Sequence, residues 1–385
     1  MTAGVTAAAG FRAAGVAAGL KASGGLDVTV VVNDGSTPTA AGVVTRNRVK
    51  AAPVLWTEQV LTSGRLRAVV LNSGGANACT GPAGFADVHH TAEHLAAALG
   101  CGAGEIAVCS TGLIGERLPI DKLLTGVDAA VAALSPDGGV DAAEAIRTTD
   151  SVAKTTTATA NGVTVGGMAK GAGMLAPGLA TMLSVLTTDA VATTAQLDAA
   201  LREAVRTTFD RVDTDGCMST NDTVLLLASG ASGISADDCG LDALVHEACA
   251  DLARQLVADA EGASKDVVIN VIHAKSEDDA VEVGRAVSRS SLLKCALFGN
   301  DPNWGRVLAA VGTTQAVFEA DELDVAINDV WVCRAGAAAE DRSLVDMSGR
   351  DVVITVDLHA GEETAIIHTT DLTTAYVLEN SAYST

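Results

Sequence analysis

Short runs of β-branched residues recur along the whole chain, and segments with helical spacing separate many of them. Neither an all-helical bundle nor a pure β-barrel has that order. It calls for large sheets covered by helices, an α/β (α+β) protein. The runs place strands at 28–32, 67–72, 106–110, 182–187, 223–228, 267–272, 292–298, 324–327, 352–358 and 364–369. Helices are expected over 87–99, stopped by Gly100, and over 119–134, with proline in the first turn. Asp141-Ala142-Ala143-Glu144 opens a short helix in the manner of a capping box. Leu197, Leu201, Val205 and Phe209 share one helix face, as do Leu241, Leu244, Val245, Ala248, Leu252 and Leu256. The Gly-rich stretches 72–84 and 166–178 are expected as loops, where sites on rigid scaffolds usually sit.

Hydrophobic residues make up 48% of the 385 residues but aromatics only 3%, so Ala, Val, Leu and Ile must fill the core in thin, close layers. The formal charge of −22 repels phosphate backbones and anionic lipid, which excludes nucleic-acid and membrane-surface binding as the main task. Residues 171–188 carry no charge, but their glycines, threonines and Pro177 fit a loop and strand better than a spanning helix. Eight cysteines without a CxxC pair suggest small buried residues in a reducing compartment. The N-terminus has no basic segment ahead of a Leu-rich run, so a cytoplasmic location is expected.

Most candidate motifs fail on their own chemistry. His90 and His94 have metal-ligand spacing on one helix face, but no third ligand accompanies them, and a solvated face explains them better. Asp213-Thr214-Asp215-Gly216 lacks the glutamate and the spacing of a calcium loop. There is no phosphate-binding Gly-rich loop ahead of Lys-Ser/Thr and no GxSxG elbow. What remains is Thr181, delivered by a Gly/Pro-rich loop to the start of an expected strand. Inside a chain its hydroxyl is a weak nucleophile. A break before it frees an α-amine of pKa about 7.7–8.0, a built-in general base.

The stretch around it reads MAKGAGMLAP over 168–177, then Ala180-Thr181-Met182-Leu183 and Thr187-Thr188-Asp189-Ala190. It resembles the cleavage signature of the ornithine acetyltransferase family, the glutamate N-acetyltransferases of arginine biosynthesis. GFRAAGVAAG (10–19), NSGGAN (72–77), STGLIG (110–115), STNDTV (219–224), DAEGAS (259–264), DPNWGR (301–306) and the end Glu379-Asn380-Ser381-Ala382-Tyr383 agree with it in order. The resemblance implies an α/β/β/α sandwich, shared with self-cleaving aminopeptidases, with a smaller C-terminal region. It implies self-cleavage between Ala180 and Thr181 into an α chain (1–180) and a β chain (181–385). Freed Thr181 would carry acetyl from N2-acetylornithine to glutamate in two half-reactions. Thr111 and Gly112 would form the oxyanion hole. Thr148, Thr149, Lys170, Thr181, Glu261, Asn380 and Thr385 would bind substrate, Glu261 pairing with the ornithine ammonium. Association of the two chains into α2β2 or more follows by the same resemblance, with no cofactor and no metal.

DPNWGR is read as a structural or subunit-packing turn. Some members of the family also use acetyl-CoA; no motif here speaks for it, and recycling alone is the favoured reading. Two rivals stand beside the transferase. A hydrolase with the same nucleophile would pass the acyl group to water, and an uncleaved binding protein would keep only the fold.

Overall fold

The computed structural model describes residues 3–176 and 182–382. Two compact units divide the chain, one built from residues up to 210 and from 217–256, the other from 211–216 and from 257 onward.

In the first unit, strands β1 (Phe11–Val16), β2 (Val28–Asn33), β4 (Ala68–Ser73) and β5 (Ile106–Thr111) form one sheet in the order β1-β2-β4-β5. Strands β3 (Thr39–Val44), β6 (Lys154–Ala160), β7 (Val163–Lys170), β8 (Leu183–Thr188) and β9 (Thr223–Ala228) form a second, ordered β3-β9-β8-β7-β6. β4 runs parallel to β5 and β8 parallel to β9; the other neighbours are antiparallel. Val30, Val69 and Val108 of the first sheet share one core with Met168, Val185 and Leu225 of the second. The sheets therefore lie face to face. β2, β4, β5, β8 and β9 are buried along their whole length, which is why they are rich in apolar residues and carry no charged face.

Helices α1 (Ala52–Leu61), α2 (Gly81–Leu99), α3 (Ile120–Ala133) and α4 (Gly139–Ala145) pack on the first sheet. Helix α5 (Thr194–Thr207) covers β3 and β9 of the second. Beyond the short α6 (Ala236–Cys239), Leu252 of α7 (Leu241–Ala258) lies against β7 at Gly167. The result is the expected α/β/β/α sandwich.

The second unit has its own core and a six-stranded sheet. β10 (Asp266–Ala274), β11 (Asp324–Ile327), β12 (Val330–Arg334), β13 (Ala337–Ala338), β14 (Asp351–Asp357) and β15 (Glu363–Thr370) take the order β13-β12-β11-β14-β10-β15. Helices α8 (Glu277–Ser288), α9 (Ser291–Phe298) and α10 (Trp304–Val311) belong to this unit, α8 packing on β10 and β15. Helix α11 (Thr374–Ala382) follows the last strand. Ser276 caps α8, and Glu277, Asp278 and Asp279 fill its first turn, where the helix dipole favours acid. Asn303 caps α10, giving the DPNWGR turn a structural use.

Several expectations need correction. The run 292–298 is helix α9: Leu293, Ala296 and Leu297 are buried at helical spacing, and Ser290 caps the N-terminus. Residues 166–170, expected as loop, finish β7, because pairing with β6 and β8 overrides the glycines. Residues 72–73 finish β4 and 81–84 begin α2, so that loop is shorter too. Helix α4 has Gly138 at its N-cap, and Asp141 sits in the first turn without capping. Phe209 lies past the end of α5 in a short 3-10 turn. The eight cysteines are unbridged, but Cys79, Cys217 and Cys295 are exposed. Among the described residues no helix is long and apolar enough to cross a membrane.

Candidate active site

The ends of β5 and β7 bring the first group of expected residues together. Thr111 closes β5 and is buried, and Gly112 follows at φ +129, a conformation that L side chains rarely adopt. A Cβ there would come within 2.6 Å of the Gly75 nitrogen, so only glycine lets the NSGGAN backbone lie against the STG turn. Polar side chains lock that contact. Ser110 Oγ donates to Asn72 Oδ1 at 2.6 Å, and Asn72 Nδ2 donates to the Gly75 carbonyl at 3.1 Å. Asn221 Nδ2 donates to the carbonyls of Ala76 (2.6 Å) and Ser110 (2.8 Å). Three of the quoted motifs thus form one rigid corner.

Lys170 ends β7 in the opposite sheet, and its Nζ donates to Thr111 Oγ1 at 3.2 Å. The hydroxyl accepts this bond, which leaves its O–H as a donor. Lys170 is 2% exposed and Lys154 0%, and the buried carboxylate between them is Asp150. Asp150 takes Lys154 Nζ at 2.6 Å, the Gly171 N–H at 2.6 Å and the Thr148 N–H at 3.0 Å. Burial pushes its carboxyl up, but the Lys170 and Lys154 ammonium groups and the Gly171 N–H prevail, holding it at about 2 against an ordinary 3.8. Thr148 and Thr149 of the same turn are half-buried. On formal charges, two lysines and one aspartate leave one positive charge beside Thr111, and burial favours the neutral form of the other acid near Lys170, Asp222, so that charge persists, an arrangement suited to an oxyanion or a carboxylate.

The start of β8 is fixed from both sides. Leu183 pairs with Lys170 of β7 and with Thr223 of β9. The Met182 N–H donates to Asp222 Oδ1 at 3.0 Å. Asp222 is fully buried, and among the described residues its Oδ2 has no hydrogen-bond partner. Burial raises its carboxyl well above the usual range, and the Met182 N–H and Lys170 offset only part of this. Ala180 and Thr181, like Thr385, lie outside the described residues.

Glu261 and Asn380 belong to the second unit, where Asn380 Nδ2 donates to Glu261 Oε2 at 3.0 Å. Gly262 makes this possible. It sits at φ +60, and a Cβ on it would come within 2.3 Å of the Tyr376 nitrogen. Thr373 Oγ1 donates to the Gly262 carbonyl at 2.6 Å, and Asp371 accepts the N–H groups of Ser264 (2.9 Å) and Lys265 (3.1 Å). The carboxyl of Glu379 is pushed up by burial and by the charges of Glu261 and Asp259. This acid cluster favours a cation.

Asp150 and Asp222 were missed as site residues, although Asp222 stands inside STNDTV and Asp150 directly follows Thr148 and Thr149. The available signal was a lone acid within a run of small polar residues, which by itself also describes a turn. Of the α2 histidines, His89 and His90 are exposed, as a solvated face requires; His94 Nε2 meets Asp128 at 2.7 Å, and His89 packs edge-on to Trp56.

The chain was also compared with known proteins. A sequence profile described as the ArgJ family matches residues 12–385. "Arginine biosynthesis bifunctional protein ArgJ" of Thermobifida fusca is 65% identical over 381 residues, 99% of this chain and 100% of the relative. The protein of the same name from Streptomyces coelicolor is 64% identical over 380 residues, 99% of each chain. The ornithine-complexed structure of ornithine acetyltransferase from Mycobacterium tuberculosis is 60% identical over 48% of this chain and 98% of that one, at a TM-score of 0.43. With a match running from β1 to the last residue, the chain belongs to the ArgJ family.

Proposed function

We propose that the chain is a glutamate N-acetyltransferase that moves acetyl from N2-acetylornithine to L-glutamate in arginine biosynthesis. The observation that carries the reading is the Lys170–Thr111 hydrogen bond, which joins the two sheets beside Gly112 at the head of β8. Full-length relatives at 64–65% identity, named for arginine biosynthesis, support it.

Maturation begins when Thr181 Oγ attacks the Ala180 carbonyl. The amide is exchanged for an ester, which frees the Thr181 amine, and water then opens the ester, releasing the Ala180 carboxylate and the Thr181 hydroxyl. The freed amine takes the proton of its own hydroxyl as that oxygen attacks the acetyl carbonyl of N2-acetylornithine. The Thr111 hydroxyl and the Gly112 N–H bind the tetrahedral oxyanion, and ornithine leaves with the proton. Glutamate's amine then attacks the acetyl-Thr181 ester and the steps reverse. Asp150 holds Lys170 in place, and Lys170 tunes the oxyanion site or receives a substrate carboxylate. Thr148 and Thr149 border the same pocket. Glu261, oriented by Asn380, takes the ornithine ammonium, and Thr385 completes the substrate site. The relatives are named bifunctional, and we extend to this chain a second donor, acetyl-CoA. Both products of cleavage contribute strands to one sheet, β6 and β7 before the cut and β8 and β9 after it, so they stay together as αβ units; these units associate into α2β2 or more. A cytoplasmic location fits these substrates.

The test is the denatured intact mass of the purified protein. Two pieces, together weighing the 38.6 kDa precursor plus one water, are expected, the heavier starting at Thr181. Thr181→Ala should stay whole. A wild-type chain that stays whole for days removes the general base and with it the mechanism. Acetate released in place of acetylglutamate would favour the hydrolase.

A further inference from the structure

We propose that His273, Asp357 and His359 of the second unit form a binding site for a divalent transition-metal ion of the zinc class. Candidate ligand atoms of the three residues all lie within 4.8 Å of one another. His273 Nδ1 is 2.9 Å from both carboxylate oxygens of Asp357, and His359 Nδ1 is 3.6 Å from Asp357 Oδ1. Ligands about 2.0–2.1 Å from a tetrahedral zinc stand roughly 3.3 Å apart, so the two His–Asp spacings already suit one ion.

The fold aims these groups. β10 and β14 are parallel neighbours, with Ile272 level with Asp357, so His273 and His359 leave the same end of the sheet just beyond that pair. His273 occupies a break in register between β10 and β15. Both histidines are in the left-handed region (φ 52 and 49), and their rings stack at 6.1 Å. Asp357 is only 7% exposed, and its Oδ1 accepts the His359 N–H at 3.1 Å. The carboxylate is therefore oriented before any ion arrives.

His359 Nε2 lies 3.1 Å from Asp324 Oδ2, and Asp324 is itself held by Arg334 and by the Ala335 N–H at 2.8 Å. A carboxylate on Nε2 places the proton there and turns the Nδ1 lone pair toward Asp357. Two neutral imidazoles and one carboxylate match zinc, cobalt(II) or nickel(II) better than magnesium or calcium, which prefer oxygen alone. The half-exposed histidine rings leave a fourth position open to water or an exogenous ligand. The ion would tie the loop after β14 to the end of β10 and raise the stability of the unit with metal concentration.

The experiment is a zinc titration of the chelator-stripped full chain against a competing chromophoric chelator of micromolar affinity. Thiols are blocked beforehand, because Cys79, Cys217 and Cys295 are exposed. The wild type should withdraw one equivalent of zinc. His273→Asn and His359→Asn should each lose it, and asparagine tolerates the left-handed backbone both positions need. Asp324→Asn should weaken binding about 10- to 100-fold. Cobalt(II) in the blocked wild type should show a visible d–d band that the histidine variants lack. Zinc uptake unchanged in both histidine variants, or none by the wild type, overturns the proposal. Circular dichroism of the metal-free variants checks their folding; should one fail to fold, the other and the cobalt spectrum still decide. Acetyl transfer by a chain that takes up no zinc leaves the proposed function intact, and the reverse result leaves the metal site intact.

Discussion

Asp150 is the residue on which the catalytic corner turns. It is the carboxylate shared by two buried lysines, and removing one partner of such a group strands the others. Asp150→Asn should cost about 3–5 kcal/mol of stability, the range for breaking a buried charge pair. Acetyl transfer should fall with it as Lys170 loses its position. The pH dependence has a definite sign. The folded carboxyl sits at about 2 and the ordinary one at 3.8, so the folded state holds the ionised form more tightly. The contribution is complete above the ordinary value and disappears as pH falls through about 2, a difference on the order of 2 kcal/mol. Urea midpoints of wild type and variant should therefore differ by a constant amount from pH 7 to pH 5, and the gap should narrow, without closing, as pH falls from about 4 toward 2. A gap that stays constant down to pH 2 would mean that Asp150 acts through shape and not charge.

Helix α11 packs closely on Gly262, which approaches the backbone of Ala375 and Tyr376. Gly262→Ala adds a Cβ where none fits and forces a strained φ, a cost of about 1–3 kcal/mol. The helix should lift. Amide exchange over 374–382 should accelerate, and the KM for N2-acetylornithine should rise more than kcat falls, because Asn380 no longer holds Glu261. Unchanged exchange would show that Asp371 and Thr373 suffice to seat the helix. Elements differed in how openly the sequence declared them. β9 was legible residue for residue, since a strand buried on both faces is an unbroken apolar run. β7 was hidden because Gly166 and Gly167 read as loop and only its two neighbours make it a strand. Helix α9 was mistaken for a strand because its apolar run is short, although Ser290 carried the cap signal. The corner of Thr111, Gly112 and Lys170 was legible only through joint resemblance, since no spacing in the sequence announces a hydrogen bond 59 residues apart. Asp222 owes its character to burial and Asp150 to the lysines brought beside it, neither of which a sequence displays.

At the scale of the whole molecule, the charge of −22 works against one of the two proposed substrates. Glutamate carries a net negative charge, whereas N2-acetylornithine, with one carboxylate and one ammonium, carries none. The positive charge left by Lys154, Lys170 and Asp150 acts over a few ångströms, well inside the Debye length at any ordinary salt. The field of the remaining carboxylates acts over tens of ångströms. The Debye length shrinks from about 30 Å at 10 mM salt to about 8 Å at 150 mM, so salt removes the distant repulsion and leaves the local attraction. In a two-step scheme kcat/KM is measured separately for donor and acceptor. Between roughly 10 and 200 mM sodium chloride, kcat/KM for glutamate should rise roughly two- to fivefold while that for N2-acetylornithine stays level. A flat response from both would place the local charge in control of the pocket. A fall for glutamate alone would mean that attraction reaches beyond the pocket and outweighs the acidic surface around it.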